Sequence, residues 1–146
     1  MKKNILVSFI IIAYNAGDKL MSLLEDLKKQ SYNHDNIEII LVDSSSTDNT
    51  KKIMKDFMNS HNDFREIKVL DNPKRVLPSG WNIALKEANG DVILRVDAHS
   101  SLPDDFIEKN VKVQKNIFFL GCYITAFPQL IAGSIVKYST IENELI

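Results

Sequence analysis

Short apolar runs rich in isoleucine and valine alternate with amphipathic stretches along most of this 146-residue chain, and this alternation restricts its fold more than any other feature. The apolar runs predict strands at residues 7–14, 37–42, 67–70 and 92–96. The amphipathic stretches predict helices at residues 18–30, 47–58, 79–88 and 103–114. Strands separated by helices form βαβ units, so the sequence predicts an α/β fold with a mostly parallel sheet flanked by helices.

The composition excludes some classes of protein. The formal net charge is −1, whereas a general nucleic-acid binder carries a strong basic excess, so we expect no nucleic-acid partner. The single cysteine, Cys122, has no partner for an internal disulfide and is interpreted as a buried apolar residue. No G-x-G-x-x-G or G-x-x-x-x-G-K-[ST] pattern follows the first strand, which argues against a nicotinamide dehydrogenase and a P-loop NTPase.

Polar residues follow three of the predicted strands directly. Asn15 follows the first, residues 43–48 follow the second, and residues 97–100 follow the fourth. Open α/β sheets bind ligands beyond the carboxyl ends of their strands. The sequence therefore predicts a binding site at that edge of the sheet.

The loop VDSSSTDNT contains two kinds of signal. Ser46, Thr47 and Asp48 are interpreted as caps of the following helix, because hydroxyl and carboxylate groups satisfy free N–H groups at a helix start. Capping does not explain Asp43, an acid placed directly after a buried strand. A carboxylate there can accept hydrogen bonds from a base or a ribose, so we predict a ligand role for Asp43.

The segment LRVDAHS places Asp97 and His99 two residues apart after the fourth strand. In an extended segment such residues point the same way, so we expect them to share a divalent cation on the side that faces Asp43. A carboxylate with an imidazole suits Mn²⁺ better than Mg²⁺. The alternative is a turn with a solvated histidine.

The segment between residues 71 and 91 contains two prolines, two glycines and three basic residues, of which Lys74 and Arg75 lie near its start. Arg75 is a natural partner for phosphate, whereas Lys74 is interpreted as solvated. Trp81 is predicted to lie in the core. Arg95 lies inside an apolar strand, so we expect it to have a buried acidic partner or to reach the ligand.

Taken in order, five motifs resemble those of family 2 glycosyltransferases with the Rossmann-like GT-A fold. They are A-Y-N after the first strand, V-D-S-S-S-T-D, N-x-A in the third helix, the N-G-D turn and R-x-D-A-H. The last motif makes the chain most similar to the bacterial succinoglycan-type exopolysaccharide glycosyltransferases, in which it replaces the commoner D-x-D.

The resemblance implies roles for individual residues. Asp43 would contact the uracil, Asp48 would brace its loop, and Asp97 would contact the ribose or the metal. Asp97 and His99 would hold Mn²⁺ or Mg²⁺. The implied nucleotide-binding set is Ala13, Tyr14, Asn15, Asp43, Ser45, Asp48, Arg75 and Asp97.

The resemblance also implies an activity. The donor would be a UDP-sugar, and the acceptor a saccharide or a lipid-linked saccharide in bacterial polysaccharide biosynthesis. The reaction would be metal-dependent and inverting. We expect it in the cytoplasm, at the inner face of the cell membrane, with peripheral membrane association.

The chain is expected to hold only the N-terminal, donor-binding part of such an enzyme and to be truncated. Residues 1–116 form the predicted nucleotide-sugar-binding domain. Residues 117–146 form an atypical apolar tail, interpreted as a buried strand and turn or a membrane-associated segment. The catalytic base is expected beyond this chain, and neither Glu142 nor Glu144 is assigned that role. The alternatives are a nucleotide-binding fragment without transfer activity and, less favoured, a nucleotidyltransferase.

Overall fold

The computed structural model describes residues 4–117 and 134–136, which form five strands, four α-helices and one short 3-10 helix. The elements in chain order are β1 Val7–Ala13, α1 Gly17–Lys28, the 3-10 helix His34–Asn36, β2 Ile37–Asp43, α2 Thr50–Ser60, β3 Glu66–Asp71, α3 Leu77–Glu87, β4 Val92–Asp97, α4 Phe106–Ile117 and β5 Ser134–Val136.

The strands form one sheet in the order β3-β2-β1-β4-β5. The first four strands are parallel, and β5 pairs antiparallel with β4. The chain adds β2 and β3 on one side of β1 and then crosses to place β4 on the other side. This reversal makes a switch point between β1 and β4, and such points open a crevice at the carboxyl ends of the strands.

The larger core lies on the sheet face covered by α1, α2 and α4. The buried residues of α1 are Leu20, Leu23, Leu24 and Leu27, and those of α2 are Thr50, Ile53, Met54 and Phe57. Both sets follow the spacing i, i+3, i+4, i+7, which lines one face of a helix. Alternate residues of β1 pack against them, because successive side chains of a strand point to opposite faces.

The other face has a smaller core covered by α3 alone among the described helices. Trp81 packs there and is partly buried, as predicted. Arg95 is exposed, and its guanidinium carbon lies 5.5 Å from the centre of the Trp81 ring. Among the described residues, the expectation of a buried acidic partner for Arg95 is wrong, because its side chain is exposed and the indole ring of Trp81 on α3 supplies a cation–π partner instead.

A buried carboxylate joins the amino-terminal halves of β1 and β2. Glu38 is 2% exposed and accepts hydrogen bonds from the Ser8 hydroxyl at 2.6 Å and from the backbone N–H of Asn89. The Ser8 hydroxyl in turn accepts from the Gly90 N–H at 2.8 Å. A Cβ at Gly90 would lie 2.4 Å from the Ser8 Oγ, so the N-G-D turn requires glycine for close approach to β1.

The predicted order of strands and helices is confirmed, with small shifts in their ends. In the tail, α4 extends to Ile117 and residues 134–136 form a strand. Cys122, Glu142 and Glu144 lie outside the described residues. Within the described part of the chain, no helix combines the length and apolar character needed to cross a membrane.

Candidate functional site

The predicted site residues lie at or after the ends of β1, β2, β3 and β4. Asp43 pairs with Ala13 across β2 and β1, and Asp97 pairs with Ile12 across β4 and β1. Because adjacent strands are about 4.8 Å apart, the two acids flank the end of β1 within roughly 10 Å, measured between backbones. Strand alternation puts Asp43 on the α1 side and Asp97 on the α3 side, so the expectation that they face each other is wrong.

Asn15 connects the loop after β1 to the loop after β2. Its side-chain oxygen accepts from the Thr47 N–H at 2.8 Å and the Asp48 N–H at 3.3 Å, and its amide donates to the Thr47 hydroxyl at 3.2 Å. Its backbone N–H donates to the Ser46 hydroxyl at 2.9 Å. The side chain of Asn15 therefore links the loop after β1 to the loop after β2.

Thr50 makes a second connection between the same loops. It is fully buried, and its hydroxyl accepts from the N–H groups of Ala16 at 2.9 Å and Gly17 at 3.1 Å. The same hydroxyl donates to the Asp48 carboxylate, which also accepts from the Thr50 N–H at 2.9 Å. These hydrogen bonds, led by the one from the hydroxyl, lower the pKa of Asp48 below its usual value and keep it charged.

These contacts correct the predicted start of the second helix. The prediction placed it at Thr47, with Ser46, Thr47 and Asp48 as caps, whereas α2 begins at Thr50. Ser46 and Thr47 bond to Asn15 instead, so the loop continues for three more residues. Asp48 does satisfy a free N–H group at the helix start, as predicted.

Strained backbone is concentrated at this edge of the sheet. In the described part of the chain, the residues other than glycine with positive φ are Asn15 (46°), Ser45 (61°) and Arg75 (65°). They follow β1, β2 and β3 respectively, and all three belong to the nucleotide-binding set predicted from the sequence. Such conformations cost on the order of 1–3 kcal/mol each and cluster at functional sites.

Asp43 is buried but weakly bonded. It is 3% exposed, and both carboxylate oxygens lie 3.3 Å from the backbone nitrogen of Ser46. A buried carboxylate normally accepts several short hydrogen bonds. Asp43 therefore keeps acceptor capacity for an N–H or O–H group of a ligand.

Arg75 lies in the loop after β3, which joins the site through Asn72. The Arg75 side chain is exposed. The backbone N–H of Arg75 donates to the Asn72 carbonyl at 3.2 Å. Asn72 is fully buried, and its N–H donates to the Asp43 carbonyl at 2.8 Å. Asn72 is not among the residues predicted from the sequence; an asparagine directly before a proline, shortly after a predicted strand, was the available signal.

The Asp97–His99 segment is a turn. β4 ends at Asp97, and the His99 N–H donates to the Asp97 carboxylate at 3.3 Å, so the assumption of an extended segment is wrong. Ala98 is buried, and both the acid and the histidine are exposed. His99 lines an open cleft of about 590 Å³ together with residues from the loops after β1 and β2 and from the first turn of α1, which are Asn15, Ala16, Gly17, Asp18, Lys19, Asp48 and Asn49.

The side chains near Asp97 and His99 supply only some of the ligands that a metal ion would need. Asp97 and His99 supply a carboxylate and an imidazole on one exposed turn. No group of three or more His, Cys, Asp or Glu residues able to hold a metal occurs in residues 4–117 and 134–136. A metal at this turn would therefore take its remaining ligands from a bound diphosphate and water.

The other two predicted residues differ in exposure. Tyr14 is 51% exposed at the end of β1 and offers its ring to a ligand. Ala13 is 3% exposed, its methyl group packs in the larger core, and its carbonyl accepts from the Ser44 N–H at 2.9 Å. Ala13 can therefore contribute only backbone to the site.

Comparison with known sequences identifies relatives over most of the chain. Residues 8–124 match the family model described as glycosyl transferase family 2. A dolichyl N-acetyl-alpha-D-glucosaminyl phosphate 3-beta-D-2,3-diacetamido-2,3-dideoxy-beta-D-glucuronosyltransferase of Methanococcus voltae is 33% identical over 111 residues, covering 76% of this chain and 34% of the relative. The succinoglycan biosynthesis protein ExoA of Rhizobium meliloti is 31% identical over 105 residues, covering 70% and 31%.

Solved structures with bound nucleotides have the same fold. The mannosyltransferase of Pyrobaculum calidifontis in complex with GDP-Man and Mn²⁺ matches with a TM-score of 0.70 and 26% identity, over 76% of this chain and 32% of that one. Residues 1–349 of TarS from S. aureus in complex with UDP match with a TM-score of 0.64 and 26% identity, over 76% and 32%. The chain thus spans about a third of the length of these relatives.

Proposed function

Because the family model covers most of its length, this chain belongs to glycosyl transferase family 2, and we propose that it binds the donor in an enzyme that transfers a sugar from a UDP-sugar. The predicted GT-A fold is confirmed by the solved structures it matches. The observation that carries the proposal is the strained backbone of Asn15, Ser45 and Arg75, which lie in the loops that follow β1, β2 and β3 respectively. The fold maintains these costly conformations at the edge where α/β sheets bind nucleotides.

Each part of the donor has a matching group. The buried Asp43 carboxylate accepts the uracil N–H, and the exposed ring of Tyr14 packs against the base. The exposed guanidinium of Arg75 binds phosphate oxygens. Asn15 and Asp48 hold the loops that form the wall of the cleft.

Asp97 and His99 hold the divalent metal, for which Mn²⁺ is the better match to the imidazole. When bound, the metal neutralises charge on the leaving diphosphate. Asp97 also contacts the ribose in this proposal, which its position at the end of the strand beside β1 supports. Support comes from the similarity to the mannosyltransferase solved with GDP-Man and Mn²⁺.

The acceptor is a saccharide or a lipid-linked saccharide, in bacterial polysaccharide biosynthesis. The relative from M. voltae is named for a dolichyl phosphate-linked acceptor, which supports a lipid-linked acceptor. With such an acceptor the reaction takes place at a membrane surface, for which we propose the cytoplasmic face and peripheral association. The acceptor hydroxyl attacks the anomeric carbon in a single displacement that breaks its bond to the diphosphate oxygen, so UDP leaves, the configuration inverts and the hydroxyl proton passes to a base. Within the described residues, no carboxylate is assigned as the base.

The test is calorimetric titration of the 146-residue chain with UDP and GDP, with and without Mn²⁺. We expect UDP to bind more tightly than GDP and Mn²⁺ to strengthen binding. Asp43→Asn should weaken UDP binding about tenfold or more, because the amide offers the uracil N–H one acceptor oxygen and no charge. His99→Ala should remove the gain from Mn²⁺ and leave metal-free binding nearly unchanged.

The matched control is Asp56→Asn, the same chemical change at an exposed acid on the outer side of α2. It should bind UDP as the wild type does. Failure of the folded wild-type chain to bind either nucleotide would contradict the donor-site proposal. Tighter binding of GDP than of UDP would change only the nucleobase assigned to the donor. Transfer of sugar to a saccharide by this chain would exclude the alternative that the chain is a nucleotide-binding fragment without transfer activity.

A further inference from the structure

Asn72 is a buried polar residue at the centre of the loops that follow β2 and β3. It is fully buried, and its side-chain amide donates to the Ser44 hydroxyl at 3.0 Å and to the Val76 carbonyl at 3.0 Å. Its side-chain oxygen accepts from the Ser79 hydroxyl at 2.8 Å. One side chain therefore joins the end of β2 to the first turn of α3.

The backbone of Asn72 makes a second set of contacts. Its N–H donates to the Asp43 carbonyl at 2.8 Å, and its carbonyl accepts from the Arg75 N–H at 3.2 Å. The Ser45 hydroxyl also donates to this carbonyl at 3.4 Å. Asn72 thus bonds directly to Asp43 and to two of the three residues with strained backbone.

The packing around Asn72 leaves it little freedom. A Cβ placed on Gly80 of α3 would lie 3.0 Å from the Asn72 amide nitrogen and 3.0 Å from a methyl group of Ile12, so the helix already approaches closely. A buried amide with both N–H groups and its oxygen bonded is fixed in a single orientation. The position of Asn72 is therefore determined by the fold before any ligand binds.

From these contacts we infer that Asn72 is a positioning residue for nucleotide binding, which holds Arg75 and the Asp43–Ser45 loop in their binding conformation without touching the ligand. This inference rests on the proposed nucleotide site. The strained φ of Arg75 persists because the turn from Asn72 to Val76 is held at both ends. A preorganised site binds more tightly because the ligand does not have to order the loops.

The experiment measures UDP affinity and thermal stability together for Asn72→Ala, Arg75→Ala and the double variant in the full 146-residue chain. Asn72→Ala should weaken UDP binding on the order of tenfold at a temperature where circular dichroism shows it folded. The effects of Asn72→Ala and Arg75→Ala should be strongly non-additive, because the asparagine acts partly through the arginine. If Asn72 were needed only for folding, the effects of the two substitutions on UDP affinity would be additive.

The matched control is Leu85→Ala, which removes partly buried packing between α3 and the sheet and leaves every hydrogen bond of Asn72 in place. It should lower the melting temperature and keep UDP affinity within about twofold of the wild type. Equal affinity losses for Leu85→Ala and Asn72→Ala would overturn the inference, as would wild-type affinity in folded Asn72→Ala. If Asn72→Ala does not fold, Ser79→Ala replaces it, with an expected loss of about threefold. Absence of nucleotide binding by the wild type would instead contradict the proposed function.

Discussion

The Thr50 hydroxyl allows a quantitative test of how the two loops of the site are joined. Thr50→Val replaces this hydroxyl by a methyl group of similar size and so leaves the N–H groups of Ala16 and Gly17 without their acceptor. A buried donor without a partner costs about 1–3 kcal/mol, and the second, partly buried donor adds about 0.5–1.5 kcal/mol. The Asp48 carboxylate is exposed and is excluded from the sum, because water replaces the lost donor.

We therefore expect Thr50→Val to lower the free energy of unfolding by about 1.5–4.5 kcal/mol, or the melting temperature by roughly 4–14 °C. Urea unfolding followed by circular dichroism measures this change, which should appear in the midpoint without a change in slope. Thr50→Ser keeps the hydroxyl and is the matched control. A midpoint for Thr50→Val equal to that of the wild type, or an equal loss in Thr50→Ser, would refute the assignment.

Three further predictions concern the stability of the fold. Gly90→Ala should lower the free energy of unfolding by about 3 kcal/mol or more, because its Cβ would lie 2.4 Å from the Ser8 Oγ; thermal unfolding measures the loss. Glu38→Gln should cost about 2 kcal/mol in urea unfolding, because a neutral amide oxygen accepts more weakly from the Ser8 hydroxyl and the Asn89 N–H than the carboxylate does, and the amide nitrogen cannot accept from the Asn89 side chain. Asp63→Asn should reduce stability at pH 6, and this loss should shrink as the pH falls below about 4. The hydrogen bond from His34 lowers the pKa of Asp63 in the folded chain, so its contribution is present above the unfolded value of about 4 and is lost as pH falls through the lower folded value.

Much of the fold could be predicted because the apolar pattern has a local cause. The spacing of Leu20, Leu23, Leu24 and Leu27 specifies a helical face regardless of the rest of the chain. The start of α2 could not be predicted in the same way. Ser46 and Thr47 are good caps by residue type, and only their contacts with Asn15, more than thirty positions earlier, keep them out of the helix.

The site shows the same division between local and long-range causes. The positions of Asn15, Asp43 and Asp97 follow from strand ends, which the sequence indicates. The roles of Asn72 and Glu38 depend on partners distant in sequence, as when Glu38 meets Asn89 fifty-one positions later. The exposure of Arg95 likewise depends on how far α3 extends across the sheet, which periodicity does not encode.

The unequal covering of the two sheet faces has a consequence for local unfolding. In the described part of the chain, α3 is held by a few small or partly buried residues around Ala84, whereas the opposite face has a continuous leucine-rich layer. Detachment of α3 therefore needs less free energy than global unfolding, and its amides should exchange with solvent earlier than those of β1. Because Asn72 bonds to the first turn of α3, the same opening releases the loop that carries Arg75. A bound nucleotide then slows hydrogen exchange in a helix that it does not contact.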